Sequence, residues 1–334
     1  MGTIPPAMLD PYTLPPLSVV IPTHNTLDLT LEAVASVKAE APPDTEIVVI
    51  DDGSSDGTFQ ALAERWPDVV VLRNEAPIGF SASANRGLSR AQGRILLLLN
   101  SDAALMPGSL APLFKAFEDD PGLGIGGAEL RYPDGTPQWS GGAFPTLPWL
   151  FALTSGTAVL AAAIPFYRQF KKPGGQAKGP VQWVTGAAMA IRRQVWDDLG
   201  PLDEHYRFYG QDLDLCRKTG EAGWQVVLLP AFVVTHHHGA TIGADEGAAG
   251  VAIPEFLWTD LLRFVEINDG PLAARRARRV MLAGAQFRLF AMALALPFGS
   301  QKTREERRAR RIQYRKAAEA LRVGNSKLET RNGR

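Results

Sequence analysis

The chain of 334 residues has a single cysteine, Cys216, so no intrachain disulfide framework is available to it and the composition fits a reducing compartment. A lone cysteine of this kind is expected to be a small buried hydrophobe. No basic-then-apolar segment opens the sequence, so a secretory leader is not expected. The first apolar run, residues 17–21, is not followed by Gly-x-Gly-x-x-Gly, which argues against the usual dinucleotide site and a nicotinamide-dependent oxidoreductase. Long apolar spans are lacking too. Residues 135–167 carry no charge, but Pro145, Pro148 and Pro165 interrupt them. The 16 residues 149–164 fall short of the roughly 20 that a spanning helix needs. A hydrophobic flap or an in-plane membrane contact is expected there rather than a core helix.

The formal net charge is zero, yet the charge is unevenly distributed. Residues 271–334 hold 17 Lys/Arg against 4 Asp/Glu, a net of +13, which leaves −13 on residues 1–270. A basic tail on an acidic body implies an anionic partner for the tail. Basic clusters at 275–279 and 302–316 flank an apolar stretch, 280–298, that Arg288 and Pro297 interrupt. That pattern suits an interfacial amphipathic helix on an anionic membrane surface. Nucleic acid is disfavoured as a partner, because aromatics are not interleaved with the basic residues and no recognisable module is present. The alternative is a solvated helix docked on the acidic body. The expected organisation is an extended proline-rich arm over 1–16, an α/β domain over 17–270 and the basic amphipathic tail over 271–334.

What is present centres on Ile95-Leu96-Leu97-Leu98-Leu99-Asn100-Ser101-Asp102. A continuous apolar run ending in Asn-Ser-Asp reads as a strand buried on both faces that delivers a carboxylate to the carboxyl edge of a parallel sheet. Open α/β sheets bind ligands at that edge, and a carboxylate there suits a hard divalent cation that bridges to phosphate oxygens. The alternative for Asp102 is a helix N-cap. Upstream, residues 17–21 close in Pro22-Thr23-His24-Asn25, and Leu27, Leu31, Val34 and Val37 follow at helical spacing. Residues 46–50 run into the turn-rich Asp51-Asp52-Gly53-Ser54-Ser55-Asp56-Gly57, residues 69–72 form a third strand, and 79–91 a helix of small residues. Strands alternating with helices predict a doubly wound, mostly parallel sheet with His24, Asp52 and Asp102 on one rim. Downstream, Pro133-Asp134-Gly135 predicts a hairpin turn, residues 181–191 and 223–229 predict strands, and an aromatic loop at 205–209 leads into a helix near Gln211. His236, His237 and His238 alternate faces on a strand and cannot share one zinc ion; the alternative is surface or core histidines bonded to backbone.

The order of these motifs resembles the inverting nucleotide-sugar glycosyltransferases of family 2, over about residues 18–243. The resemblance implies a GT-A fold, a Rossmann-like sheet flanked by helices. Val49-Ile50-Asp51-Asp52-Gly53-Ser54-Ser55-Asp56-Gly57-Thr58 is similar to the family's nucleotide-base loop, and Asn100-Ser101-Asp102 to its variant of the metal-binding DxD. Gly210-Gln211-Asp212-Leu213-Asp214 is similar to the catalytic-base segment, and His236 with Gly239 and Thr241 to the late metal-ligand motif. The Asn-Ser-Asp form and residues 183–191 most resemble rhamnosyl- and galactofuranosyl-type transferases of bacterial cell-surface polysaccharide. The resemblance implies Asp212 as catalytic base, and Asp102 and His236 as ligands of Mg²⁺ or Mn²⁺. It implies donor contacts from Pro22, Thr23, Asn25, Asp52, Asn85, Ser101 and Gly186. The donor would be a dTDP- or UDP-linked sugar, with rhamnose suggested by the subgroup. The acceptor would be a lipid-linked or polysaccharide glycan of the cell envelope, met on the cytoplasmic face of the membrane.

Two residues depart from the family pattern. Gln211 stands where many members have Glu, which leaves open an inactive membrane-associated scaffold or a glycan- or nucleotide-binding protein on the same fold. Ala84 stands where members often have Arg, with Arg86 the candidate to take over its phosphate contact. Inverting transfer needs a base for the acceptor hydroxyl and a stabilised diphosphate leaving group, which a base plus a Lewis-acidic metal supply. Helix N-terminal amides are expected to hold Asp212 ionised, and its alternative role is capping that helix. For Asp52 the alternative to contacting the base or ribose is turn chemistry. Asp203 and Asp214 read as a loop anchor and a helix-surface charge outside the site.

Overall fold

In the computed structural model, residues 14–158, 172–173, 179–237, 253–298 and 300–323 are described. The first half alternates as the apolar runs predict: β1 (Leu17–Thr23), α1 (Leu27–Glu40), β2 (Glu46–Asp51), α2 (Thr58–Arg65), β3 (Val70–Arg73), α3 (Phe80–Arg90) and β4 (Ile95–Leu99). Then follow β5 (Ala103–Leu105), α4 (Leu110–Asp119), β6 (Leu123–Arg131), β7 (Trp139–Gly142), α5 (Leu147–Ser155), β8 (Lys172–Pro173), β9 (Gly179–Pro180) and β10 (Trp183–Val184). The chain continues through β11 (Ala188–Arg192), α6 (Arg193–Leu199), α7 (Gln211–Glu221), β12 (Gln225–His236), α8 (Pro254–Ala295) and α9 (Gln301–Val323).

The main sheet has the order β3-β2-β1-β4-β11-β6-β12-β5, with β9 also paired to β12. β3, β2, β1 and β4 are mutually parallel, and β6 is parallel to β12, whereas β11 and β5 run antiparallel to their neighbours. The winding direction reverses between β1 and β4, and at such a switch point the loops diverge and leave a crevice beyond the carboxyl ends. Thr23 and Asn100 sit at those two ends. Asp102 is followed by β5, not a helix, which removes the N-cap reading. Where the sequence suggests two separate apolar runs, β12 is one strand of 12 residues with a register shift between Leu229 and Val233. Pro230 lies inside that shift, where its missing N–H breaks no ladder bond.

Alternate residues of β1, β2 and β4 feed two cores. Val19, Val49 and Leu97 pack with α1 and α4, whereas Val20, Val48 and Leu98 pack with α3, α6 and α7. The small residues of α3 have a packing reason: a Cβ on Gly87 would lie 2.4 Å from Val20 Cγ1, so only glycine lets the helix approach the sheet this closely. Ala84, also on that face, is fully buried.

A third core forms where α5, α8 and α9 meet. Leu150, Trp258, Phe264, Ala277, Met281 and Leu321 belong to it. Helix α5 is therefore a packed core helix over 147–155 and not a free flap; the rest of the predicted piece, from residue 159, lies outside the described residues. Gly284 permits the close α5–α8 crossing, since a Cβ there would lie 2.2 Å from Thr154 Oγ1. Arg288, which interrupts the apolar stretch in the sequence, donates to the Leu153 carbonyl at 2.8 Å and lies over the Tyr314 ring at 4.2 Å. A break at Gly270 (φ 84°, ψ 172°) precedes Pro271 within α8, at the predicted body–tail boundary. Ala274 and Ala285 beyond that break share the core with Trp258 before it.

Candidate active site

The crevice at the switch point has a volume of about 630 Å³. Of the ten residues the sequence nominates, Pro22, Thr23, Asp52, Ser101, Asp102, Gly186, Asp212 and His236 line it, and Asn25 and Asn85 do not. Six separate stretches of chain therefore converge on one space.

On the β1–β2 side the polar groups hold one another. The Thr23 hydroxyl bonds those of Thr26 (3.0 Å) and Thr30 (2.6 Å), and Thr26 donates to Ser101 Oγ at 2.9 Å. This buried hydroxyl chain ties the end of β4 to the start of α1. Asn25 accepts from the Ser55 amide at 2.8 Å and braces the acidic turn from outside the crevice. Asp52 Oδ1 accepts from Asn74 Nδ2 (2.7 Å) and Ile78 N (2.8 Å), and Oδ2 from Gly79 N (2.9 Å). A carboxylate has about four lone-pair sites, so one direction on Asp52 Oδ2 is left for a ligand in the crevice. Asn85 accepts from Leu202 N (2.8 Å) and donates to Leu202 O and Glu204 Oε1 (both 2.9 Å), so it anchors the turn before the aromatic loop instead of facing the crevice. Arg86 donates to the Arg73 carbonyl at 2.9 Å and to Asn74, so it braces the loop after β3 and does not line the crevice.

On the β4–β12 side Asp102 Oδ1 and His236 Nε2 stand 3.3 Å apart, both nearly buried. Gln138, absent from the sequence reading, orients this pair. Its Nε2 donates to the His236 carbonyl, which turns its Oε1 toward His236 Nδ1 at 2.9 Å. Nδ1 then donates to Gln138 Oε1, which leaves Nε2 facing Asp102. A lone pair facing a carboxylate oxygen is repulsive unless a cation or a proton lies between them. Carboxylate plus neutral imidazole, with the second ring nitrogen fixed by an outer partner, is a donor set that fits Mn²⁺ or Mg²⁺ completed by phosphate and water. His237 points the other way, 3.8 Å from Glu32, as strand alternation requires. His238, Gly239 and Thr241 lie outside the described residues.

Asp212 is the second residue of α7. The N-cap is Gly210, held in the left-handed region (φ 102°), so Asp212 is not the cap. Its carboxylate accepts from Leu213 N at 2.9 Å and from Gly186 N at 3.1 Å, and the residue is half-buried. Burial pushes the Asp212 carboxyl above the usual carboxylate range, and those amides offset the rise only in part. The environment therefore works against the ionised form that the helix terminus was expected to favour, because desolvation outweighs the amides. Neighbouring Gln211 donates to the Phe208 carbonyl at 3.3 Å.

A second residue invisible to sequence reasoning is Asp260, on α8. It accepts the amides of Arg207 (3.2 Å), Phe208 (3.0 Å) and Tyr209 (2.9 Å), fixing the aromatic loop that leads to Asp212. Neither Gln138 nor Asp260 belongs to a local motif, so only their spatial partners reveal them. Asp203 does anchor a loop, accepting from the His205 amide at 2.8 Å. Asp214 is not a surface charge: it is 2% exposed, paired with Lys218 at 2.8 Å and bonded by Asn268. Cys216 is buried, as expected.

The sequence profile described as Glycosyl transferase family 2 matches residues 18–200. Among curated proteins, the chain is similar to an N-acetylglucosaminyl-diphospho-decaprenol L-rhamnosyltransferase of Mycobacterium tuberculosis, 29% identical over 247 residues that make up 69% of this chain and 78% of that protein. It is also similar to the O-antigen biosynthesis protein RfbC of Myxococcus xanthus, 28% identical over 72% of this chain and 18% of that larger protein. Among solved structures, GalNAc-T7 with UDP, GalNAc and Mn²⁺ shares the fold with a TM-score of 0.56 at 19% identity, over 89% of this chain and 54% of that one.

Proposed function

The chain belongs to glycosyltransferase family 2, and on that premise we propose that it moves a rhamnosyl or related hexosyl group from a dTDP- or UDP-linked donor to a lipid-linked envelope glycan, with inversion at the anomeric carbon. The observation that carries this reading is the convergence of Asp52, Asp102, His236 and Asp212 on one crevice. Asp52 contacts the nucleoside through its remaining lone-pair direction. Asp102 and His236 hold a divalent cation, manganese or magnesium, whose chemistry when bound is to neutralise charge on the departing diphosphate. Asp212 accepts the proton of the acceptor hydroxyl, and Asp260 and Asn85 position the loop that leads to it. Gln211, which left a scaffold role open, keeps its amide nitrogen on the Phe208 carbonyl, so the base is positioned without a Glu before it. A melting screen of nucleotide-sugars with Mn²⁺ tests the reading: a donor at 100 times its dissociation constant should stabilise by about 2.7 kcal/mol. No shift with any nucleotide-sugar, together with no donor hydrolysis, contradicts it.

The same reading places the protein peripherally on the inner face of the cell membrane. No described helix is long and apolar enough to cross a membrane. Phe287, Phe290 and Leu294 fall on one face of α8 and, with Phe298 just beyond it, are each more than half exposed. The basic clusters of residues 275–279 and 302–311 flank them, which suits an anionic lipid surface. Replacing Phe287, Phe290 and Leu294 by serine should weaken binding to anionic vesicles at least about tenfold, since each apolar side chain inserted contributes roughly 1.5–3 kcal/mol. The melting temperature should hold, because these side chains touch little of the core. Vesicle binding equal to wild type would falsify the assignment of this face.

A further inference from the structure

Beside the crevice lies a second cavity of about 770 Å³, and Gly79, Phe80 and Arg207 belong to the walls of both. Two arginines line it from different elements, the exposed Arg207 from the aromatic loop and the half-buried Arg263 from α8. Arg207 lies over the Phe256 ring at 4.9 Å, and neither guanidinium makes an ion pair among the described residues. Arg263 Nε is buried without a hydrogen-bond partner. The nearby carboxylates make their hydrogen bonds elsewhere, Asp260 with three backbone amides and Glu204 with Asn85, although Arg207 lies within electrostatic reach of Asp260 and Arg263 of Asp203. Tyr206, also in the wall, is 2% exposed and its hydroxyl has no hydrogen-bond partner. Buried donors without acceptors are costly unless a ligand supplies the acceptor oxygens. Two planar, always charged forks suit phosphate oxygens.

The rest of the lining narrows the ligand. Ile78, Phe80 and Phe256 contribute apolar surface around the arginines. A phosphate group that carries an apolar chain fits that mixture better than a free nucleotide, whose own diphosphate is assigned to the Asp102–His236 side. We propose that this cavity holds the diphosphate link of a lipid-linked acceptor, with Arg207 and Arg263 as its binding residues. The shared wall lets one molecule lie in both spaces, its sugar hydroxyl at Asp212 and its diphosphate against the arginines. This assignment rests on the glycosyltransferase reading and names the chemical class of its acceptor.

The test uses the full chain, EDTA to remove divalent ions, and geranyl diphosphate as the probe in a calorimetric titration. Wild-type protein should bind geranyl diphosphate more tightly than inorganic pyrophosphate. Arg263→Gln and Arg207→Gln should each weaken geranyl diphosphate at least tenfold, and Arg263→Lys, which keeps the charge and loses the fork, should weaken it less. In a separate titration without EDTA, binding of UDP with Mn²⁺ should stay within twofold of wild type in Arg263→Gln, which also shows that the variant is folded. Unchanged geranyl diphosphate affinity in both glutamine variants overturns the proposal. So does tighter binding of inorganic pyrophosphate, or one-for-one displacement of the probe by UDP in the same EDTA buffer. Failure of the underlying glycosyltransferase reading looks different: wild-type protein would then bind no UDP with Mn²⁺ at all.

Discussion

Asp212→Asn should lower turnover by about 10²-fold or more while donor binding stays nearly unchanged, on the usual scale of general-base catalysis. The substitution keeps the size of the side chain and one of its amide bonds. The second amide, from Gly186 or Leu213, would face an NH₂ group instead of an oxygen, a loss of about 1 kcal/mol in stability. What disappears is the proton acceptor. Because burial raises the Asp212 pKa, the wild-type rate should fall on acidification at a pH above the ordinary aspartate value of about 3.9. That acidic limb should be missing from the residual activity of the asparagine variant. The stability sign runs the other way. A carboxyl whose folded pKa is raised binds its proton better in the native state, so its contribution is favourable at low pH and is lost as pH rises through the folded pKa. A base in this position works at some expense of stability. Near wild-type transfer by a folded Asp212→Asn protein would place the base elsewhere.

The other large effect concerns Asp102. Asp102→Ala should abolish Mn²⁺-dependent donor binding, read as the loss of the manganese-dependent melting shift and of transfer together. His236→Ala should weaken the ion less, since a neutral ligand brings no charge to the site. Gln138→Ala isolates the orienting role. With no amide on Nδ1 the imidazole is free to adopt the other tautomer and to turn away, and loss of such an outer partner typically lowers metal affinity 10- to 100-fold. The direct readout is a Mn²⁺ titration by paramagnetic resonance, with no sugar chemistry involved. Retained manganese affinity in Asp102→Ala removes the metal assignment, and retained affinity in Gln138→Ala removes the tautomer argument alone.

Local sequence was sufficient for the architecture around the site. β4 is a continuous apolar run and β1 and β2 are mostly apolar, and nearly every residue of the three is buried in the sheet. Such runs bounded by turn residues have few other ways to fold, and their parallel pairing carries Thr23, Asp52 and Asp102 to one edge. The helix start at Gln211 and the alternation of the histidines were legible for the same reason, because both follow from backbone periodicity. What a polar side chain does once it arrives depends on neighbours that periodicity cannot name. Asn85 and Asn25 look like site residues in a motif, yet in three dimensions their amides hold backbone 117 and 30 residues away. Gln138 gains its meaning only from His236, and Asp260 only from the amides of residues 207–209. The direction of the Asp212 shift was also beyond local reading, since it is the balance between two amides and the desolvation imposed by the whole surrounding wall. Hydrophobic pattern therefore determined where the chain runs and which sheet edge carries the crevice. Tertiary structure alone decided which polar groups face the crevice, because that depends on hydrogen bonds made across long separations in sequence.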